Sequence, residues 1–247
     1  MTTDDQWSSL PVDKFMQGEY LQRSDIILVG GSGLTSKIIS YFTKSLFSHA
    51  ALVFLISNKD KGFEHNFLIE SVTSGVDVTA FDYYAAKSKN KPIAILRLEQ
   101  EWFDIPLQNQ IRGSMLNYIK SDYDFMTILK ITGYIVKKLF FGLKVRSIKK
   151  SIQKGRRVPN QFICSGFVQY GYYSSVKKMT EAGDLSASAI DKVLFRSDLG
   201  QDSADSELLS VTPEDLASSD KLSWKYVIKN GMVYKVESAR QGREILK

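Results

Sequence analysis

The sequence has few of the residues that build disulfides and metal sites. Its 247 residues include one cysteine, Cys164, and two histidines, His49 and His65. One cysteine cannot form a disulfide within the chain, and no group of cysteines and histidines has the spacing of a zinc site. We therefore predict no metal and no other cofactor, and we expect a reducing compartment such as the cytoplasm.

Long hydrophobic runs are also absent. No uninterrupted apolar stretch approaches the roughly 20 residues that a membrane-spanning helix needs. The first residues, MTTDDQWSSLPVDKF, are polar and acidic, so they lack the apolar centre of a secretion signal. The hydrophobic content of 43% is still enough for a sizeable core. These features predict a globular cytoplasmic protein.

Acidic residues are missing from one long part of the chain. No aspartate or glutamate occurs from Phe125 to Thr180, although the formal charge of the whole chain is only +6. Basic residues are concentrated there at Lys144, Arg146, Lys149, Lys150, Lys154, Arg156 and Arg157. Two interpretations fit such a segment: a solvated connecting loop, or a surface for an anionic membrane, nucleic acid or an acidic substrate. The role of residues 137–157 stays open from the sequence alone.

A glycine-rich turn near the N-terminus resembles a nucleotide-binding loop only superficially. A strand over 24–29 runs into this turn, and a helical stretch over 34–42 follows it. A phosphate-binding P-loop requires the pattern G-x-x-x-x-G-K-[ST]. Counting from Gly31, Ser36 stands where the second glycine belongs, and Ile38 stands where a magnesium-binding Ser or Thr belongs. The pattern therefore predicts a tight strand-to-helix turn and not a nucleotide site.

The order of apolar patterns predicts an α+β protein. Short runs rich in β-branched residues predict strands in the first half of the chain, at 24–29, 49–56, 67–71, 74–78 and 92–98. Apolar residues spaced by four predict helices in the middle, over 106–119 and 125–141. Residues 183–210 predict a long loop with partial order, Thr212-Pro213 predicts a helix start, and Asn230-Gly231 predicts a β-hairpin.

These elements divide the chain into a lead-in and one domain. We interpret residues 1–23 as a loose lead-in with one helical turn, and residues 24–247 as a single domain. The domain includes a basic helical insert over 125–157 and a C-terminal hairpin over 224–236. No internal repeat and no heptad pattern divides it further.

Two apolar strands each carry one unexplained polar residue. His49 opens the run Ala50 to Ile56, and Glu70 closes the run Phe67 to Ile69. A buried strand has no structural need for an imidazole or a carboxylate, but a carboxylate beside a histidine can orient the ring as a base. Alternatively, His49 is a core histidine bonded to a backbone carbonyl, and Glu70 faces water at the end of its strand. His65 lies in a polar loop and is most simply a solvated surface residue.

The only cysteine is the remaining candidate for catalysis. Cys164 lies in the first turn of a predicted helix, where the positive end of the helix stabilises a thiolate and backbone N–H groups can hold an oxyanion. A free cysteine is also commonly a small buried hydrophobic residue, so the two interpretations are about equal for Cys164. Covalent catalysis uses a nucleophile, a base that activates it and a third group that orients the base, and Cys164, His49 and Glu70 are candidates for these three roles.

Several short motifs, in order, resemble one family of enzymes. They are Asp25-Ile26-Ile27-Leu28, Phe47-Ser48-His49-Ala50, Ile69-Glu70-Ser71, Tyr123-Asp124, Phe162-Ile163-Cys164-Ser165-Gly166 and Val211-Thr212-Pro213-Glu214. The pattern is similar to the permuted papain-like hydrolases, the YiiX-like (C92) branch of the NlpC/P60 superfamily. The resemblance spans roughly residues 24–220. Many relatives have Ser-Glu or Ser-Thr where this chain has Ser165-Gly166.

The resemblance implies a circularly permuted papain-like fold in which an antiparallel sheet packs against helices. It also implies that Cys164 is the nucleophile, His49 the base and Glu70 the group that orients the ring. Tyr123 is a candidate for assisting the oxyanion, and its alternative role is that of a packing residue. The strand with the histidine precedes the helix with the cysteine, as the permuted order requires.

The sequence leaves three functional hypotheses. The first is a cysteine hydrolase or acyltransferase that cleaves an amide or ester bond of an acyl, peptide or lipid-like substrate. The second is a binding protein on the same scaffold, with a basic, aromatic surface for anionic lipid or another polyanion. The third, nucleic-acid binding, rests on basic charge alone, because no base-reading motif is present.

Overall fold

The computed structural model describes residues 8–31, 45–72, 74–87, 91–119 and 164–247, together with the backbone of 122–123 and 161–162. Its strands are β1 (Ser9–Pro11), β2 (Ile26–Val29), β3 (His49–Leu55), β4 (Phe67–Val72), β5 (Gly75–Ala80), β6 (Ile93–Arg97), β7 (Asp122–Tyr123), β8 (Gln161–Phe162), β9 (Ser223–Lys229) and β10 (Met232–Lys235). Eight of them form an antiparallel sheet in the order β1-β10-β9-β6-β2-β3-β4-β5, and β7 pairs with β8 in parallel.

Helices complete the α+β class that the sequence predicts. They are α1 (Val12–Gln17), α2 (Asp82–Ala85), α3 (Ile105–Leu116), α4 (Cys164–Glu181), α5 (Ser188–Lys192), α6 (Asp205–Leu208), α7 (Pro213–Ala217) and α8 (Ala239–Leu246), with a 3₁₀ turn at Lys59–Lys61. Local sequence explains where two of them begin. The Asp104 side chain accepts a hydrogen bond from Leu107 N at 3.0 Å and caps α3. Thr212 and Asp215 form a reciprocal capping box at the start of α7.

The sheet has an apolar core on each face. In β3, Ala50 and Leu52 belong to the core that also contains Phe167 and Val168 of α4. Their neighbours in the strand, such as Ala51, belong to the opposite core. Because successive side chains of a strand point to opposite faces, a central strand with both faces covered must be apolar throughout. This requirement explains the continuous apolar runs of β2 and β3.

The N-terminal segment is part of the sheet, and its interpretation as a loose lead-in is wrong for residues 9–17. β1 pairs with β10, with Leu10 opposite Val233. The predicted helical turn is present as α1, whose Phe15 is buried and packs edge-on against Tyr226 at 4.9 Å between ring centroids. A strand of three residues has too few positions to show an alternating pattern, so this pairing has no sequence signal.

The C-terminal part agrees with one prediction and corrects another. The β9–β10 hairpin is confirmed, and its turn residues Asn230 and Gly231 have φ values of 53° and 78°. The long loop predicted over 183–210 instead contains α5 and α6, which bury Ile190 and Leu208. Helices of four or five residues are too short for helical periodicity to appear in the sequence. The predicted helices over 34–42 and 125–141 and the basic segment lie outside the described residues.

Candidate active site

The candidate site lies at one end of the sheet, where β3 and α4 both begin. His49 is the first residue of β3 and pairs with Val29, the last residue of β2. Cys164 is the first residue of α4, which packs across β3 and β4. Because each residue stands at the end of its element, their side chains meet at the rim of the sheet and interact there.

Strand register brings Glu70 to the same place. Glu70 of β4 lies directly opposite Ala51 of β3, two residues along from His49. Its side chain reaches diagonally across the strand pair, and Glu70 Oε2 lies 2.5 Å from His49 Nε2. The Glu70 side chain is only 2% exposed, whereas that of His49 is 19% exposed. A carboxylate this deeply buried requires a charged or strongly donating partner, and the imidazole supplies it.

The thiol of Cys164 faces the same ring. Because Nε2 of His49 contacts Glu70, Nδ1 is the nitrogen left to interact with the thiol. Burial raises the pKa of the Cys164 thiol. The nearby His49 imidazolium and the backbone N–H groups of Ala50 and Ser165 lower it, and the net effect is a pKa below the usual value. Helix starts and imidazolium neighbours stabilise thiolates in this way.

The charges of the three groups depend on one another. Burial lowers the pKa of His49, but the Cys164 thiolate and the Glu70 carboxylate together raise it to about 10. Burial likewise raises the pKa of Glu70, whereas hydrogen bonds from His49, Thr79 and Tyr84 bring it below its usual value. The arrangement therefore favours a thiolate and an imidazolium side by side, next to an ionised carboxylate.

Tyr84 is a site residue that the sequence did not predict. It belongs to the short helix α2, and its hydroxyl donates a hydrogen bond to Glu70 Oε2 at 2.6 Å. Its ring also stacks on the His49 ring, with 5.9 Å between centroids and an angle of 23°. Burial and the Glu70 carboxylate raise the pKa of Tyr84 well above its usual value, so it remains a protonated donor. Nothing in the sequence around Phe81 to Tyr84 signals this contact.

The backbone of Tyr123 lies close to the site. Tyr123 is in β7 and pairs with Phe162 of β8, two residues before Cys164. Its side chain lies outside the described residues, so its role at an oxyanion stays a prediction. His65 is exposed, as predicted, and its Nδ1 lies 2.7 Å from Asp82 Oδ2.

The Ser165-Gly166 pair has a packing explanation. Ser165 Oγ donates a hydrogen bond to the Val211 carbonyl oxygen at 2.6 Å. A Cβ atom at Gly166 would lie 2.1 Å from the Leu209 carbonyl oxygen, which is far inside van der Waals contact. Gly166 is therefore the residue that lets the 209–211 segment approach the start of α4.

The described parts of the chain also lack two kinds of feature. In them, no three side chains of His, Cys, Asp or Glu come together in a group that could hold a metal ion. No helix in the same residues is long and apolar enough to cross a membrane.

Neither a family model nor a curated protein matches the chain. Among solved structures, the crystal structure of the metalloprotein YiiX from Escherichia coli O157:H7 is similar to it over 83% of this chain and 96% of that chain, with 17% sequence identity and a TM-score of 0.49.

Proposed function

We propose that the protein is a cysteine-dependent hydrolase or acyltransferase that cleaves an amide or ester bond. The observation that carries the proposal is the placement of the only cysteine. Cys164 lies at a helix start beside His49, and the other ring nitrogen of His49 is held by the buried Glu70. A structural cysteine has no need of a charged imidazole, and burying that imidazole with a carboxylate is costly without a function.

The proposed reaction uses the thiolate–imidazolium pair directly. The Cys164 thiolate attacks the carbonyl carbon, and the electron pair of the C=O bond moves to the oxygen. The backbone N–H at the start of α4, assisted by Tyr123, stabilises this oxyanion. The oxyanion then collapses, the bond to the leaving group breaks, and His49 Nδ1 gives its proton to the departing nitrogen or oxygen.

A thioester on Cys164 remains after the first step. His49, now neutral, takes a proton from water or from another acceptor, which attacks the thioester carbon. The second tetrahedral intermediate expels the thiolate and restores the ion pair. With water as acceptor the reaction is hydrolysis, and with an amine or alcohol it is acyl transfer. Glu70 and Tyr84 hold the His49 ring in one orientation through both steps.

The same proposal includes a circularly permuted papain-like fold of the YiiX-like type. Three features support it: the antiparallel sheet packed against helices, the order of the histidine strand before the cysteine helix, and the sequence motifs around both residues. We infer an acyl, peptide or lipid-like substrate, since each offers a carbonyl carbon to the thiolate.

The test is to trap the thioester. Intact-mass spectrometry after incubation with an activated ester, such as p-nitrophenyl acetate, should show one acyl group on the wild-type chain. Because the chain has a single cysteine, Cys164→Ala should abolish this adduct, and His49→Ala should slow its formation by about a hundredfold or more. Equal acylation of the wild type and of Cys164→Ala, or undiminished turnover of the true substrate by Cys164→Ala, would refute the proposal.

A second candidate function rests on the seven basic residues between Lys144 and Arg157. In this case the chain binds anionic lipid headgroups or another polyanion, either beside catalysis or in place of it. Co-sedimentation with vesicles that contain or lack anionic lipid, at two salt concentrations, tests it. Salt-sensitive binding only to the anionic vesicles supports this function, and the absence of such binding at low salt refutes it.

A further inference from the structure

Two arginines of like charge meet at the other end of β3, away from the candidate active site. Arg23 precedes β2, and Arg112 lies on α3. The neighbouring Ser24 N–H donates to the Val53 carbonyl oxygen at 2.8 Å, and Arg112 Nη1 donates to the next carbonyl oxygen, that of Phe54, at 2.7 Å. The backbone next to Arg23 and the side chain of Arg112 thus bind consecutive carbonyl groups of β3. Phe54 is five residues from His49, about 17 Å along an extended strand.

Polar atoms in this place lack partners. Arg23 Nε, Arg112 Nε and Ser24 Oγ are all shielded from solvent, and none has a hydrogen-bond partner among the described residues. A buried donor without a partner costs free energy, and the like charges of Arg23 and Arg112 add electrostatic repulsion. Two of the three atoms belong to adjacent residues, and the third belongs to the helix residue whose side chain binds the neighbouring carbonyl group of β3.

The nearby Arg97, in contrast, has a carboxylate partner within the chain. Arg97 Nε and Nη2 donate to the two carboxylate oxygens of Asp25, both at 2.8 Å. Asp25 Oδ2 also accepts from Gln22 N. Both carboxylate oxygens of Asp25 are therefore already bound by Arg97 and Gln22. No carboxylate in the described ranges forms an ion pair with Arg23 or Arg112.

We propose that Arg23, Ser24 and Arg112 form a binding site for a phosphate group. Two fixed positive charges match a phosphate dianion, and arginine donors with a serine hydroxyl are typical ligands of its oxygens. A single carboxylate matches the site less well. It carries only one negative charge, and its two oxygens pair with the two N–H groups of a single guanidinium group. Both arginine side chains are half-buried, so small movements give a phosphate access to their Nε–H groups.

A bound phosphate would also change the local electrostatics. Burial and the neighbouring Arg23 both lower the pKa of Arg112 below its usual value. A dianion between the two guanidinium groups attracts both of them and so offsets their mutual repulsion. It also links α3 to the start of β2 and the end of β3. Because the ligand binds the folded state, it raises the unfolding temperature progressively as its concentration rises above the dissociation constant.

The experiment is a titration of the full chain with inorganic phosphate and, separately, with glycerol 3-phosphate, followed by calorimetry and by thermal unfolding at matched ionic strength. We expect saturable binding and a rise in unfolding temperature that sodium chloride does not reproduce. Arg23→Gln and Arg112→Gln should each weaken the affinity by about tenfold or more, the effect of losing one charge-assisted hydrogen bond. Tighter binding of inorganic phosphate identifies a free phosphate as the ligand, and tighter binding of the ester identifies a phosphate monoester.

Arg240→Gln is the matched control, since the Arg240 side chain is 89% exposed and, among the described residues, forms an ion pair only with Glu244 on its own helix. It should leave phosphate affinity unchanged. Arg112→Gln also removes the bond to the Phe54 carbonyl oxygen, so Arg23→Gln, which removes no hydrogen bond of the described structure, keeps the test valid if the Arg112 variant fails to fold. Equal phosphate affinity in the wild type and Arg23→Gln, or acetate binding as tight as phosphate binding, would overturn the proposal. Neither outcome depends on Cys164 chemistry.

Discussion

Tyr84 and His49 share one carboxylate oxygen. The Tyr84 hydroxyl donates to Glu70 Oε2, and the same oxygen lies against His49 Nε2. The two rings also stack. The carboxylate is thereby fixed from two directions, and the imidazole is fixed both by its nitrogen and by its face. A histidine held in this way presents its free nitrogen to the thiol in one orientation, which proton transfer in both directions requires.

Tyr84→Phe tests whether this contact positions the base. It keeps the stacked ring but removes one of the bonds that lower the pKa of Glu70. We therefore expect kcat on an activated ester to fall by about tenfold with little change in KM, and the acid limb of the rate profile to move to higher pH. Loss of one buried hydrogen bond should cost ~1 kcal/mol of unfolding free energy.

The control is Tyr83→Phe on the same helix. Tyr83 is 53% exposed, and its hydroxyl has no contact with Glu70 among the hydrogen bonds of the described residues. This variant should leave the acid limb of the profile in place. A purely structural role of Tyr84 would lower stability without moving the acid limb, and that result would contradict the assignment.

Glu70→Gln distinguishes the effect of the negative charge of Glu70 from the effect of its hydrogen bonds. Glutamine can still accept from Tyr84, but it cannot balance an imidazolium, so the pKa of His49 falls and the thiolate loses its partner. We expect kcat/KM to decrease by about a hundredfold with the fold retained. Asp77→Asn is a matched control, because Asp77 lies directly opposite Glu70 on β5 yet is exposed. Similar losses in both variants would show that a general effect of charge, and not the contact with His49, is responsible.

Some parts of this structure were predictable from the sequence, and the reasons are physical. His49 and Glu70 interrupt apolar runs, so their polarity stands out against a buried strand, and Cys164 is the only thiol. Tyr84 does not stand out, because a tyrosine within a four-residue helix looks like any packing residue. β1 depends on β10, which follows it almost a whole chain later, and local patterns carry no information about such a pairing.

Gly166→Ala tests the close approach of the Leu209 segment to α4. An added Cβ would lie 2.1 Å from a backbone carbonyl oxygen, and a backbone atom cannot swing away as a side chain can. We expect a loss of ~3 kcal/mol or more in chemical denaturation, at the upper end of overpacking effects. Because the clash is next to Cys164, thiol reactivity should change as well.

Gly171→Ala on the same helix provides the comparison. Its added Cβ would meet the Met115 side chain at 2.8 Å, and a methionine side chain is flexible. We expect a loss of ~1 kcal/mol or less, partly offset because alanine favours a helix over glycine. Equal losses in the two variants would show that the Leu209 contact is not the cause.

The pH dependence of Cys164 alkylation follows from the directions of the two pKa shifts. The pKa of the thiol is lowered and that of His49 is raised to about 10, so the ion pair exists between the two values. The thiolate is lost as pH falls through the lowered thiol pKa, and the imidazolium is lost as pH rises through the raised histidine pKa. The iodoacetamide rate should therefore form a plateau that extends below the ordinary thiol pKa of about 8.5.

His49→Ala should remove this plateau. Without the imidazolium, burial is the dominant influence left on Cys164 and raises its pKa. Near pH 6 at most about one thiol in several hundred would then be ionised, so alkylation should slow by about a hundredfold or more. The same pair links stability to pH: the contribution of the raised His49 pKa is fully present below about pH 6.5 and disappears as pH rises through 10. A wild-type rate that simply follows the ionisation of a free thiol, with no plateau, would rule out the ion pair.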